Sequence, residues 1–184
     1  TAPAVFAHLD QVELVPMYFE LDGTFPNHEA NPIEAENLRD LQAKVLEERA
    51  DIGLAFDGDA DRCFFVDERG HVVDPSTVTA LVADREIAKE VAAGREAADV
   101  AVVHGAIVSR AVPETIAAAG ARAVRTRVGH SFVKAVMAEH EAVFGGEHSA
   151  HYYFRDFWYA DTGMLAALHV LAALGEQERP LSEL

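Results

Sequence analysis

Asp57, Asp59 and Asp61 alternate with the small residues Gly58 and Ala60, and Arg62 follows at once. In an extended or tightly turned loop, side chains at i, i+2 and i+4 can converge on one point. Three carboxylates there repel one another, and only a cation or protonation makes the cluster comfortable. Hard oxygen donors of this kind suit Mg²⁺ or a similar ion. An EF-hand also begins Asp-x-Asp-x-Asp, and Glu68 falls at its twelfth loop position. The sixth position of that loop needs glycine for a sharp turn, however, and here it is Arg62. The flanking runs, Ile52-Gly53-Leu54-Ala55-Phe56 and Cys63-Phe64-Phe65-Val66, read as buried strands where an EF-hand needs helices. The plainer alternative is a solvated acidic turn between two strands, since Asp-Gly alternation is common in hairpins. Arg62, in that reading, makes a surface salt bridge to one of its own aspartates.

Two further stretches hold residue types that could bind or move protons. Glu147, Ser149 and His151 follow a short apolar run and share one face if the chain there is extended. A carboxylate and a hydroxyl on one face can bind paired sugar hydroxyls. His148 and His151 could also be read as a zinc pair, but no convincing third ligand is evident. His130, in Val128-Gly129-His130-Ser131, is a candidate ligand contact or proton-transfer group. The alternative for it is a capping or buried structural histidine.

The elements that must position these residues follow a strand-helix alternation. Residues 2–9 read as a short helical piece, 12–15 as a strand and 20–32 as a loop rich in Asp, Gly, Pro and Asn. Leu38, Leu41, Val45 and Leu46 give 33–48 a helical spacing. The strand over 52–56, the Asp loop, the strand over 63–66 and a turn over 68–71 complete a strand-helix-strand unit. Val73-Asp74-Pro75 marks a boundary, dividing the chain into domains at 1–73 and 74–184. In the second, Ser76 is a plausible N-cap for a helix to about Ala93. A buried strand is expected over 99–104, and a helix from Ser109 or Arg110 to Gly120. Beyond it are expected a strand over 121–126, a helix over 131–140, a short strand over 142–144 and an apolar helix over 161–174 with Gly175 at its end. The fold class is α/β, in two units.

A chain of 184 residues, half of them hydrophobic, can bury a sizeable core. The net charge of −16 argues against nucleic acid and against anionic membranes. It does not exclude a phosphorylated substrate, since Arg62 and a bound metal can override the global field. Cys63 is the only cysteine and has apolar neighbours, so a buried, inert thiol in a reducing cytoplasm is expected. No apolar run is long enough to span a bilayer, and no signal peptide is visible. Thr1 is not an initiator methionine, which reads as a processed, truncated or partial chain.

The stretch from Ala55 to Arg62 resembles the metal-binding loop of the α-D-phosphohexomutases, the phosphomannomutase/phosphoglucomutase group. The stretch from Leu21 to Pro32 (Leu-Asp-Gly-Thr-Phe-Pro-Asn-His-Glu-Ala-Asn-Pro), Val128-Gly129-His130-Ser131, and Gly146-Glu147-His148-Ser149-Ala150-His151 agree with it in order. The resemblance implies four domains, the first three being α/β sandwich-like units with mixed sheets, of which this chain carries most of the second, lacking its opening strand, and the third. It implies Asp57, Asp59 and Asp61 as Mg²⁺ ligands and Arg62 as a contact to the transferring phosphoryl group. Glu147 and Ser149 would bind the sugar 3- and 4-hydroxyls, and His151 would lie near the reacting phosphate. Arg127 stands where some members carry lysine and could bind phosphate. Ile107 stands where some members carry a lysine base, so Arg110, His130 and His151 remain the candidates for that role. Ala150 replaces the usual glycine. The implied activity is phosphoryl transfer between the 1- and 6-positions of mannose or glucose phosphate, by way of a phosphoserine and a hexose 1,6-bisphosphate. The phosphoserine and the C-terminal phosphate-binding domain have no counterpart in the chain, which is expected to be inactive alone. A phosphoglucosamine mutase, a non-catalytic sugar-phosphate module and a metal phosphatase are the other readings.

Overall fold

Short apolar runs punctuated by Gly, Asp and Pro fold here into two sheets that share one core. The computed structural model describes residues 2–184. Helix α1 (Ala2–Phe6) leads into a long irregular stretch, a 3-10 turn at Ala35–Leu38 and helix α2 (Arg39–Glu48). Arg49, in the left-handed conformation, ends α2. Strand β1 (Ile52–Phe56) then pairs antiparallel with β2 (Cys63–Asp67), Phe56 opposite Cys63, so the Asp loop is the hairpin connection. Helix α3 (Pro75–Ala92) follows, then β3 (Ala101–Gly105), α4 (Ala111–Ala118), β4 (Arg122–Thr126) and α5 (His130–His140). The chain ends with β5 (Phe144–Gly146), β6 (Tyr152–Phe154), β7 (Ala160–Asp161) and α6 (Gly163–Gly175).

The larger sheet has the order β4-β3-β5-β6-β7. Strand β3 runs parallel to β4 and β5, while β6 and β7 are antiparallel, so this sheet is mixed. Its two faces follow the period of two. Val102 and Phe144 pack with Val78 and Val82 of α3, Ile116 of α4 and Val170 of α6. Ala101, Val103 and Tyr153 pack on the other face with Val133 and Met137 of α5. The adjacent Gly145 and Gly146 let both helices approach. A Cβ on Gly145 would stand 2.7 Å from Met137 Sδ, and one on Gly146 would collide with Thr79 of α3. Cys63, Phe64 and Phe65 of β2 belong to the same core as α3 and α6, which joins the small sheet to the large one. Among the described residues, no helix is long and apolar enough to cross a membrane.

Several expectations change in detail. Residues 12–15 form no strand, and among the described residues the first sheet holds only the antiparallel β1–β2 pair. The helix expected from 33 begins as the 3-10 turn and becomes α-helical at Arg39. Asp74, not Ser76, caps α3: its Oδ1 accepts the Ser76 N–H at 2.7 Å, and Pro75 takes the first helical position, where its missing N–H costs nothing. The helix expected from 161 begins at Gly163, because Thr162 Oγ1 accepts the Leu165 N–H and caps it. Asp161 is instead in β7.

Candidate functional site

The Asp loop is tied down by its own arginine. Arg62 donates its backbone N–H to Asp57 Oδ1 at 3.1 Å and its Nε–H to Asp57 Oδ2 at 2.7 Å. Its Nη1 reaches Asn31 Oδ1 at 3.4 Å. This is a part-buried, charge-assisted pair and not a surface one, with the Asp57 side chain 3% exposed. Burial pushes the Asp57 carboxyl up, but the bonds from Arg62 outweigh it and hold the group below the ordinary carboxylate range. Asp61 has the opposite fate. Burial, then the Asp57 carboxyl beside it, raise it to about 6. Its Oδ1 is a buried oxygen without a hydrogen-bond partner among the described residues. Asp57, Asp59 and Asp61 each offer an oxygen to a common point, these atoms lying within 4.8 Å of one another. An all-carboxylate set with one orphaned buried oxygen fits Mg²⁺.

The second half of the site reaches the Asp loop directly. Arg62 and His151 form an isolated antiparallel bridge between the two sheets. His151 Nε2 lies 3.5 Å from Asp61 Oδ2 and 4.0 Å from Asp161 Oδ2. Its Nδ1 is 2.9 Å from Ser149 Oγ, and its ring stacks on Tyr153. Helix α6 presses on the hairpin from the same side. Gly163 N–H donates to Ala60 O, and a Cβ on Gly163 would stand 2.5 Å from Arg62 O. Only glycine lets the helix start there.

Residues 147–151 are not extended. The chain turns, with Glu147 N–H bonded to His151 O and Ala150 N–H to Glu147 O. Ala150 has φ +65° in this turn, the left-handed region that favours the glycine it replaces. Glu147 is 4% exposed. Its Oε1 accepts the Gly129 N–H at 3.0 Å and its Oε2 accepts the Tyr153 hydroxyl at 2.7 Å. Burial, then that bond, push the Tyr153 phenol far up. Glu147 therefore also pins the 128–131 loop to the site.

Asp57, Asp59, Asp61, Arg62, Ser149 and His151 thus come together in one cluster, with Glu147 anchoring the neighbouring loop. His130 opens α5 and is exposed, as is Arg127, whose guanidinium carbon sits 3.5 Å over the Phe132 ring. Arg110 pairs with Glu114 at 3.0 Å on the surface, and Ile107 is exposed. His148 bonds Ser76 Oγ, away from His151. Cys63 is fully buried, as expected. Residue-by-residue reading missed Asp161, which a second group of possible metal-holding side chains includes with Asp61 and His151. Lys134 Nζ holds its Oδ1 at 2.8 Å. The only signal for it was an acidic residue just before the Thr162-Gly163 helix start.

Comparison with known proteins agrees with this geometry. Residues 74–184 match "Phosphoglucomutase/phosphomannomutase, alpha/beta/alpha domain III", and residues 1–70 match domain II of the same family. A phosphomannomutase of Escherichia coli K12 is 37% identical over 173 residues, 94% of this chain and 36% of the relative. One from Methanocaldococcus jannaschii is 39% identical over 89% of this chain and 35% of its own length. A crystal structure of a phosphoglucomutase/phosphomannomutase family protein from Burkholderia thailandensis superposes with a TM-score of 0.84 at 32% identity, over 92% of this chain and 36% of that one. The chain therefore spans little more than a third of the length of these relatives. With both matches in chain order and the metal and sugar-side motifs in one cluster, the chain belongs to the phosphoglucomutase/phosphomannomutase family and carries its domains II and III.

Proposed function

We propose that the parent activity is reversible phosphoryl transfer between the 1- and 6-positions of a hexose phosphate, with a hexose 1,6-bisphosphate as intermediate. The observation that carries this is the Arg62–His151 bridge, which sets the three-aspartate loop against the Ser149–His151 turn. Asp57, Asp59 and Asp61 would hold Mg²⁺, which when bound supplies charge neutralisation of the transferring phosphoryl group. Arg62 binds that phosphoryl group; its bonds to Asp57 aim the guanidinium beforehand. Ser149 and Glu147 bind sugar hydroxyls, each Glu147 oxygen keeping a lone pair beyond the one donor it already accepts. His151 holds or moves a proton at Nε2, oriented by Ser149 through Nδ1. Arg127 and His130, exposed at the rim, contact phosphate. The domain division at 73/74, the cytoplasmic location and a phosphoserine supplied by further polypeptide belong to the same reading. Relatives named phosphomannomutase favour mannose or glucose phosphate over a hexosamine phosphate.

The test is calorimetric titration of Mg²⁺ into the chain and into Asp59→Asn. Asp59 is exposed, so its loss spares the fold. An affinity about tenfold weaker in the variant, or ~1.4 kcal/mol, is expected; equal affinity would remove the metal site. The 184 residues alone should not turn over mannose 1-phosphate, and steady isomerisation by them overturns the requirement for further polypeptide.

A further inference from the structure

Asp161 lies outside the three-aspartate loop yet faces the same histidine. It stands opposite Tyr153 in the β6–β7 pair, so both side chains project from one face of the sheet, the face that packs against α5. His151 is two residues before Tyr153 and stacks on its ring at 6.2 Å. Lys134 of α5 meets the same group: its Nζ is 2.8 Å from Asp161 Oδ1 and 5.7 Å from the centre of the Tyr153 ring. The Asp161 side chain is only 10% exposed, and a carboxylate so far buried needs a cation beside it. Lys134 supplies that charge, so no metal ion is needed there. The other oxygen, Oδ2, lies 4.0 Å from His151 Nε2, and Asp61 Oδ2 lies 3.5 Å from the same nitrogen. Ionised carboxylates only accept hydrogen bonds, so Nε2 is the ring's donor and Nδ1 accepts the Ser149 hydroxyl. The two carboxylates differ in their other commitments. Asp61 belongs to the loop whose oxygens converge on one point, while Asp161 belongs to Lys134.

We propose that Lys134 and Asp161 are positioning residues for His151: the lysine fixes the Asp161 carboxylate, and that carboxylate holds the Nε2–H when Asp61 turns to a cation. The proposal rests on the reading of His151 as a group that holds or moves a proton at Nε2. A movement of about 1 Å brings Nε2 within ordinary hydrogen-bond distance of Asp161, a far smaller change than turning the ring over. The ring thus keeps its proton on Nε2, and its Nδ1 bond to Ser149, through metal binding.

The test follows the imidazole Nε2–H of His151 by NMR in the 15N-labelled 184-residue chain, with Asp61→Ala standing in for the withdrawal of Asp61. Asp61→Ala should keep the signal, with exchange against water within about threefold of the parent, and adding Asp161→Ala should speed exchange about tenfold or more, because a proton exchanges only when its hydrogen bond opens. Lys134→Met keeps the apolar stem of a part-exposed side chain. In the Asp61→Ala chain it should act as the loss of Asp161 does, and Lys134→Arg should restore slow exchange. A merely structural pair would lower stability and leave Nε2–H exchange unchanged. Absence of a protected Nε2–H in the parent, fast exchange in Asp61→Ala alone, or slow exchange that survives the loss of Asp161 or Lys134 overturns the proposal. Should Asp61→Ala/Asp161→Ala lose the native amide spectrum, the two Lys134 variants decide by themselves. All these spectra are ligand-free, so their failure is distinct from a failure of the parent to bind Mg²⁺, which would remove the metal site alone.

Discussion

The β1–β2 hairpin and the five-stranded sheet each present one loop to the site, yet they are supported very differently. The larger sheet is covered by α3 and α6 on one face and α5 on the other, and β3 is buried along its whole length. In β1 only Gly53 is buried. The Asp loop nonetheless carries the most demanding chemistry, three carboxylates and an arginine in contact. It holds its shape because Gly163 and His151, both from the larger unit, fasten it from outside. A weak sheet can thus carry a precise site when a strong one grips its loop.

The largest test of this contrast is a pair of truncations. Phe144→Ala removes a fully buried ring between α3 and β6 and should cost about 3–5 kcal/mol. Leu54→Ala in half-buried β1 should cost about 1–2 kcal/mol. Urea denaturation reads both, and equal losses would mean that the two sheets are equally founded. Next in size is Gly163→Ala, which drives a methyl group into the Arg62 backbone. It should cost about 1–3 kcal/mol and weaken Mg²⁺ binding with it. Gly175→Ala, at the other end of the same helix and with no atom within 4 Å of the added carbon, is the control expected to stay within about 1 kcal/mol of the parent. Unchanged metal affinity in Gly163→Ala would show that the clamp does not shape the loop.

The smallest effect concerns pH. The Asp61 carboxyl stands at about 6 in the folded chain, above its ordinary 3.8, so the folded state holds an extra proton between these values. That contribution to stability is complete below about 3.8 and is lost as pH rises through 6. Asp61→Asn should therefore be relatively more stable above pH 7 than below pH 4. A cation at the loop must displace the same proton, so Mg²⁺ affinity should fall about tenfold from pH 7 to pH 5. A flat affinity across that range would mean that Asp61 is not a ligand.

The strand-loop-strand frame and the Asp-Gly-Asp-Ala-Asp-Arg cluster were legible because both are local: an apolar run, turn residues, then another apolar run. The residues joined across the chain were not. Glu147 was expected as a sugar contact, and its role as the anchor of Gly129, a bond spanning 18 positions, was not legible. Asp161 was absorbed into an expected helix because Asp-Thr-Gly before an apolar run reads equally well as a helix start. Strands β6 and β7 are three and two residues long, too short to show alternation. Val12–Val15 has strand propensity but, among the described residues, pairs with no strand, and propensity alone does not make one.

The Arg62–His151 bridge also orders events in time. The carboxylates are complete at residue 61, but their fastenings arrive at His151 and Gly163, about a hundred residues later. During synthesis the hairpin must wait several seconds or more for them, at ordinary rates of chain elongation. Closing so long a loop is entropically costly and comes late in folding. The carboxylates and their own arginine are thus in place as a local hairpin, while the clamp that fixes the loop against the rest of the site waits for chain made much later.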